Sequence, residues 1–237
     1  VIHSAMPAKR FMSNSNPELD RKKTVELTQF FLKHLVFNQF ILISSLSARI
    51  EVETTYGKNR KDVENMILNS GGQVIRFGPL YGGKPRECTL KNILTNQHVF
   101  YSINTEYGYT DVNWCARYVV DNFQNISKLT EVGSPDTISL KTIRDIVNST
   151  SIFGFKDDSQ VCLNFNLGPK IENFLRYIEE FKVKTSEQQI VAVLHDISAS
   201  GSYAGVSGGS TNNYGASGSL RPSVYVQRLS AWDATSF

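Results

Sequence analysis

The stretch ISSLSARIEVETTYGKNRKDVE, residues 43–64, decides how this chain is read. It leaves an uninterrupted apolar run, Phe40-Ile41-Leu42-Ile43, of the kind found in strands covered on both faces. Such a strand delivers Ser44 and Ser45 at its carboxyl end. A helical pattern then opens at Tyr56 and runs to Asn69, with Val63, Met66 and Ile67 on one side and Gly71-Gly72 as its stop. In an open parallel sheet, ligands bind beyond the carboxyl ends of the strands, so the serines and the tyrosine face one crevice. A tyrosine exchanges a hydroxyl proton only if its pKa is drawn down from about 10, normally by a cation one helical turn away. Position i+4 from Tyr56 is Arg60, on the same helix face. A serine hydroxyl then orients the carbonyl oxygen.

Outward from this stretch the pattern repeats. Val1 to Ala5 reads as a buried strand ending in small residues, followed by a polar loop. Asp20 to Leu35 places Val25, Leu27, Phe30, Phe31 and Leu35 at near-helical spacing, and Gln73 to Phe77 is another short strand. Strand, helix, strand, helix, strand with short connections is the signature of right-handed crossovers, and so of a parallel sheet with helices on both faces. Further helical patterns at Asp111 to Phe123, Leu140 to Asn148 and Pro169 to Phe181 read as a smaller α+β portion beside the sheet. From about residue 183 onward the texture changes to glycine, serine and asparagine, densest between Ser198 and Ser219. That composition reads as a flexible linker. The strand-like flanks Ile190 to Leu194 and Val224 to Val226 leave a β-prone hairpin or an oligomer-forming extension as the second reading.

The central stretch resembles the Ser…Tyr-x-x-x-Lys active site of the extended short-chain dehydrogenases/reductases, the NAD-dependent epimerase/dehydratase family. Members commonly read YGxSKxxxE where this chain has YGKNRKDVE, residues 56–64. VIHSAM at residues 1–6 is similar to the family's strand and small-residue turn under the cofactor. VIRFGPLYG at 74–82 is similar to the strand after the tyrosine helix, and YTDVNWCARYV at 109–119 to the segment in which an Asp, here Asp111, caps a helix. The four pieces fall in the family's order over roughly residues 1–150. The resemblance implies an α/β, partial Rossmann-like domain over residues 1–182 lacking its first βαβ unit, followed by the tail 183–237. It implies NAD or NADP as cofactor and a nucleotide-sugar as substrate, undergoing epimerisation, dehydration or reduction. Tyr56 would be the acid/base, Ser45 the carbonyl-orienting hydroxyl with Ser44 as the alternative by register, and Arg60 the cation. Asp20 falls near the Asn of the family's tetrad. Phe77, Gly78, Pro79 and Leu80 would lie against the nicotinamide, and His3, Ser4 and Ala5 near the ribose or pyrophosphate.

Two departures stand against the pattern. Arg60 replaces the lysine, and a guanidinium does not exchange protons near neutral pH. No GxxGxxG or GxGxxG occurs near Val1, where the family's glycines let the backbone approach the pyrophosphate. The glycines of GSYAGVSGG at 201–209 have a superficially similar spacing, but no apolar helix follows them. A truncated or degenerate relative, binding a partner without catalysis, is therefore the rival reading. Composition narrows the field further. The net charge of +3 arises from 25 basic and 22 acidic side chains mixed along the chain, which gives no support to nucleic-acid binding. Cys88, Cys115 and Cys162 show no disulfide or zinc spacing, which suits a reducing, cytoplasmic setting. No run reaches the roughly 18 continuous apolar residues of a membrane span.

Overall fold

The computed structural model describes residues 1–8, 10–83, 88–163, 168–182 and 184. Strand β1 (Ile2–His3) leads through α1 (Arg10–Ser15), α2 (Pro17–Arg21), a π-helical turn (Lys22–Glu26) and α3 (Leu27–His34) into β2 (Ile41–Ser45). Helices α4 (Ser47–Ile50) and α5 (Thr55–Asn69) return the chain to β3 (Gln73–Phe77). Then follow β4 (Leu80–Tyr81), α6 (Thr89–Leu94), β5 (Val99–Tyr101), β6 (Glu106–Tyr107), β7 (Thr110–Asp111) and α7 (Val112–Asn122). Strands β8 (Leu129–Val132) and β9 (Ile138–Ser139), helix α8 (Leu140–Val147) and β10 (Phe153–Lys156) come next, and residues 172–182 form a last helix.

The main sheet has the order β1-β2-β3-β8, every neighbouring pair parallel. The period-2 alternation of β2 and β3 sends their side chains to two different helical layers. Leu42 and Val74 pack with Val25, Val63 and Ile67 under the π-helical turn and α5. Ile41, Ile75 and Phe77 pack with Cys115 and Val119 of α7. Helices therefore cover both faces, as the continuous apolar runs require. A third core holds the smaller portion together, with Ile93, Tyr107, Tyr109, Leu140, Ile143, Phe174 and Ile178 among its members. Short paired strands frame it: β5 with β10 and β4 with β7, both parallel, and β6 with β9, antiparallel.

The expected strands and helices lie close to where the sequence placed them. Asp111 caps α7 by accepting from the Trp114 N–H at 2.8 Å, and Gly71 ends α5 at φ +81°. Several elements went unread, among them α1, α6, β8 and the short strands of the smaller portion. The segment after β1 is not a loop but contains α1. Helix α6 is six residues long, too short for a periodicity to register. Strand β8 reads LTEV, with Thr130 and Glu131 buried and Leu129 exposed, the reverse of the polarity that marks a strand. The tail with its two strand-like flanks lies outside the described residues. Among those described, no helix is long and apolar enough to cross a membrane.

Candidate active site

Strand β2 ends in two serines whose side chains go to opposite faces. Ser44 is buried on the α5 side and donates to Glu64 Oε1 at 2.7 Å. That bond commits the Ser44 hydroxyl to the protein interior, whereas Ser45 lies on the opposite face of β2. Ser45 Oγ is half-buried, lies 3.3 Å from Ser47 Oγ and accepts from the Ser47 N–H at 3.3 Å. The N-cap Thr54 opens α5 by accepting from the Gly57 N–H at 3.0 Å, which places Tyr56 in the first turn. Helices α4 and α5 are pressed together here. A methyl group at Gly57 would overlap the carbonyl oxygens of Glu51 and Ser47. Gly57→Ala is expected to lower stability by about 1–3 kcal/mol, read as a lower urea midpoint with an unchanged slope.

Tyr56 is 7% exposed. Two guanidinium groups lie near its ring. Arg60 Cζ lies 3.3 Å from the ring centroid, and Arg10 Cζ lies 5.7 Å from it. Arg60 donates to the carbonyl oxygens of Tyr56 and Pro7, so its fork is occupied by backbone, and burial draws its pKa below the ordinary arginine value. The cation thus sits over the aromatic face. Burial also dominates Tyr56 itself, whose pKa is raised above 10 although Arg60 and Arg10 pull it down. The lowered tyrosine pKa that the i+4 spacing suggested is not what this environment produces, because desolvation outweighs both cations. Tyr56 is a protonated phenol near neutral pH.

Arg10 was not anticipated, since its segment reads as loop. Its guanidinium donates to Asp158 Oδ2 at 2.7 Å, Tyr101 Oη at 3.0 Å and Ser47 Oγ at 3.1 Å, and it pairs with Glu51 Oε1 at 3.1 Å. Burial opposes its charge, but Asp158 and Glu51 outweigh burial and hold its pKa above the ordinary value. Burial raises the Glu51 carboxyl above the usual range. Glu51 Oε2 is buried without a partner. Asp158 also accepts from Tyr107 Oη at 2.5 Å. One arginine of the sheet side is thereby tied to three residues of the smaller portion, Tyr101, Asp158 and, through Asp158, Tyr107. These pairings span 91 and 148 positions for Tyr101 and Asp158, and no local pattern announces them.

Asp20 is buried in α2 and accepts from Asn59 Nδ2 at 2.8 Å, while its Oδ1 has no partner. It clamps α2 to α5 beside Arg60. Along the carboxyl edge, Ser4 and Ala5 are exposed after β1, Gly78 and Pro79 are half-buried after β3, and Leu80 is exposed. His3 and Phe77 are instead buried. The His3 ring is buried against Phe31 and Phe40, its Nε2 lies 3.0 Å from Thr28 Oγ1, and burial lowers its pKa, so it serves the core as a neutral ring. Phe77 belongs to the core under α7. Among the described residues no group of three His, Cys, Asp or Glu side chains could hold a metal ion.

No family model matches this sequence, and no curated protein is similar to it. Solved structures are similar in fold. The UDP-glucuronic acid 4-epimerase of Bacillus cereus, in complex with UDP-glucuronic acid and NAD, is 16% identical with a TM-score of 0.59, over 76% of this chain and 74% of that one. The UDP-glucose 4-epimerase of Thermotoga maritima, with UDP-glucose, is 17% identical with a TM-score of 0.59, over 78% and 77%. RMD from Pseudomonas aeruginosa, complexed with NADPH, is 13% identical with a TM-score of 0.62, over 77% and 80%. With its parallel sheet, its two helical layers and its tyrosine helix at the carboxyl edge, the chain has the fold of the extended short-chain dehydrogenases/reductases.

Proposed function

We propose that this chain is a relative of the NAD-dependent epimerases and dehydratases whose site binds NAD or NADP and exchanges hydride with a nucleotide-sugar. The observation that supports the reading is the fold shared with those enzymes, in which Ser45 ends the parallel strand β2 and Tyr56 stands in the first turn of α5. The nicotinamide, when bound, supplies the hydride chemistry. Ser4, Ala5, Gly78, Pro79 and Leu80 are the residues of this chain that would hold that end of the cofactor. Ser45 orients the sugar oxygen, and Tyr56 donates to or accepts from it. Arg60 and Arg10 supply positive charge beside the phenol, and Arg60 takes the place of the lysine without its proton exchange.

The second reading is a relative that binds but does not turn over. It is favoured by the Arg10 cluster, which fills the space between Ser47, Glu51 and Tyr101 with a paired guanidinium. Calorimetry with NADH and NADPH separates the two when combined with turnover of a small panel of nucleotide-sugars. Cofactor binding with turnover is the expected result. Cofactor binding without turnover selects the second reading, and absence of any cofactor binding sinks the enzyme reading.

A further inference from the structure

A cleft of about 520 Å³ opens between α7 and the helix 172–182, and none of the residues that line it belongs to the Tyr56 cluster. That volume lies in the range of small-molecule sites, about 300–1,000 Å³. The exposed Arg117, Arg176 and Glu180 line it together with Trp114 and Tyr177, each half-buried against the core under its own helix. Helix α7 buries Cys115 and Val119 and turns Trp114 and Arg117 to the cleft. The last helix buries Phe174, Ile178 and Phe181 and presents Arg176, Tyr177 and Glu180, one turn apart or less.

The rings are held as platforms. Trp114 stacks on Tyr118 with centroids 5.4 Å apart and planes at 21°, and Tyr177 leans on the buried Tyr81 at 5.1 Å. The two arginines approach from opposite walls, and neither has a hydrogen-bond or ion-pair partner among the described residues. The other charged groups on the cleft are two acids. Asp111 spends a carboxylate oxygen on the Trp114 N–H, and Glu180 lies one helical turn beyond Arg176. Guanidinium groups recognise phosphate through paired N–H donors, and a half-buried indole or phenol accepts an aromatic ring on its face. None of the residues named on this cleft hydrogen-bonds or ion-pairs with Arg10, Ser45 or Tyr56 among the described residues.

We propose that this cleft binds an aromatic phosphate of small size, a nucleoside monophosphate or the phosphate-bearing end of a larger nucleotide. The ring lies on Trp114 and Tyr177, and Arg117 and Arg176 hold the phosphate from the two sides. The site is independent of the reading of Tyr56, because it shares no residue with it.

The sequence has two tryptophans, Trp114 and Trp232, so a Trp232→Phe protein reports on Trp114 alone. Titration of that protein with AMP, with excitation where the nucleotide does not absorb, is expected to quench the indole saturably. Adenosine and inorganic phosphate, each offering half of the ligand, are expected to bind about tenfold more weakly or worse. Arg117→Gln with Arg176→Gln should weaken AMP by at least about tenfold while the melting midpoint holds, since both side chains are exposed. Tyr56→Phe should leave AMP affinity unchanged. Absence of saturable quenching, AMP affinity unaltered in the double variant, equal affinity for phosphate alone, or loss of AMP binding in Tyr56→Phe would each overturn the proposal.

Discussion

Arg76→Met is expected to destabilise the chain by about 3–5 kcal/mol, the cost of stranding buried carboxylates. For a domain whose total stability is about 5–15 kcal/mol, that is enough to leave it marginal. Arg76 stands at the centre of a row across the sheet, in register with Ser44 on one neighbour and Glu131 on the other. Its guanidinium donates to Glu64 Oε1 at 2.8 Å and Oε2 at 2.5 Å, and to Glu131 Oε1 at 3.0 Å. Arg49 joins the same carboxylate at 2.7 and 3.0 Å. Glu64 is fully buried on α5, so removal of Arg76 leaves it the Ser44 hydroxyl and a Lys61 ammonium at 3.8 Å. The cost should appear as a lower urea midpoint. Adding Glu64→Gln to Arg76→Met should recover part of it, because the second change removes the uncompensated charge. A loss below about 1 kcal/mol in the single variant would refute the assignment. The network also has a pH signature. Burial would raise Glu131, but bonds from Arg49, the Leu163 N–H and Arg76 hold it below the ordinary carboxylate value. Its contribution is therefore present above the unfolded value, about 4.3, and is lost as pH falls through the lower folded value. The acid limb of the wild-type stability curve should flatten in Arg76→Met.

This network explains what the sequence could and could not disclose. Glu64 and Arg76 were visible as letters of YGKNRKDVE and VIRFGPLYG, yet nothing in either segment says that one charge neutralises the other across the sheet. The sheet itself was legible because a strand covered on both faces carries a continuous apolar run, as Phe40 to Ile43 does at the head of β2. Strand β8 escaped for the converse reason: Glu131 is buried with two arginines as its solvent, so its polarity reports the pairing and not the surface. The site divides the same way. Ser45, Tyr56 and Arg60 follow from a strand end and an i+4 spacing, both local. Arg10, Glu51 and Asp158 come from three separate segments, and only the packing of the smaller portion against the sheet brings them together. The direction of the Tyr56 shift also lay beyond local reading, since it is set by how completely the neighbouring segments exclude water.

That shift gives the largest functional expectation. If Tyr56 handles the sugar hydroxyl proton, Tyr56→Phe should lower turnover by about 10²–10⁴-fold with little change in cofactor affinity. The direction of reaction then matters. Burial raises the phenol above its ordinary value of about 10, so the protonated form prevails near neutrality. A protonated phenol can give its proton to the oxygen of a substrate being reduced, and no ionisation precedes that step. Oxidation needs the reverse: the hydroxyl proton must have a base to go to, and the phenolate fraction grows about tenfold for each pH unit below the pKa. The rate of substrate oxidation should therefore climb steadily between about pH 7 and 9 without a plateau, while reduction stays flat over the same window. Arg10→Gln removes one of the two cations that oppose the burial, and should carry the oxidative limb further toward alkaline pH. An oxidative plateau by pH 8 would contradict the raised Tyr56 pKa and point to a group other than Tyr56 as the one that receives the proton. Glu51, whose Oε2 is buried and unpaired in the same cluster, is then the side chain to replace next.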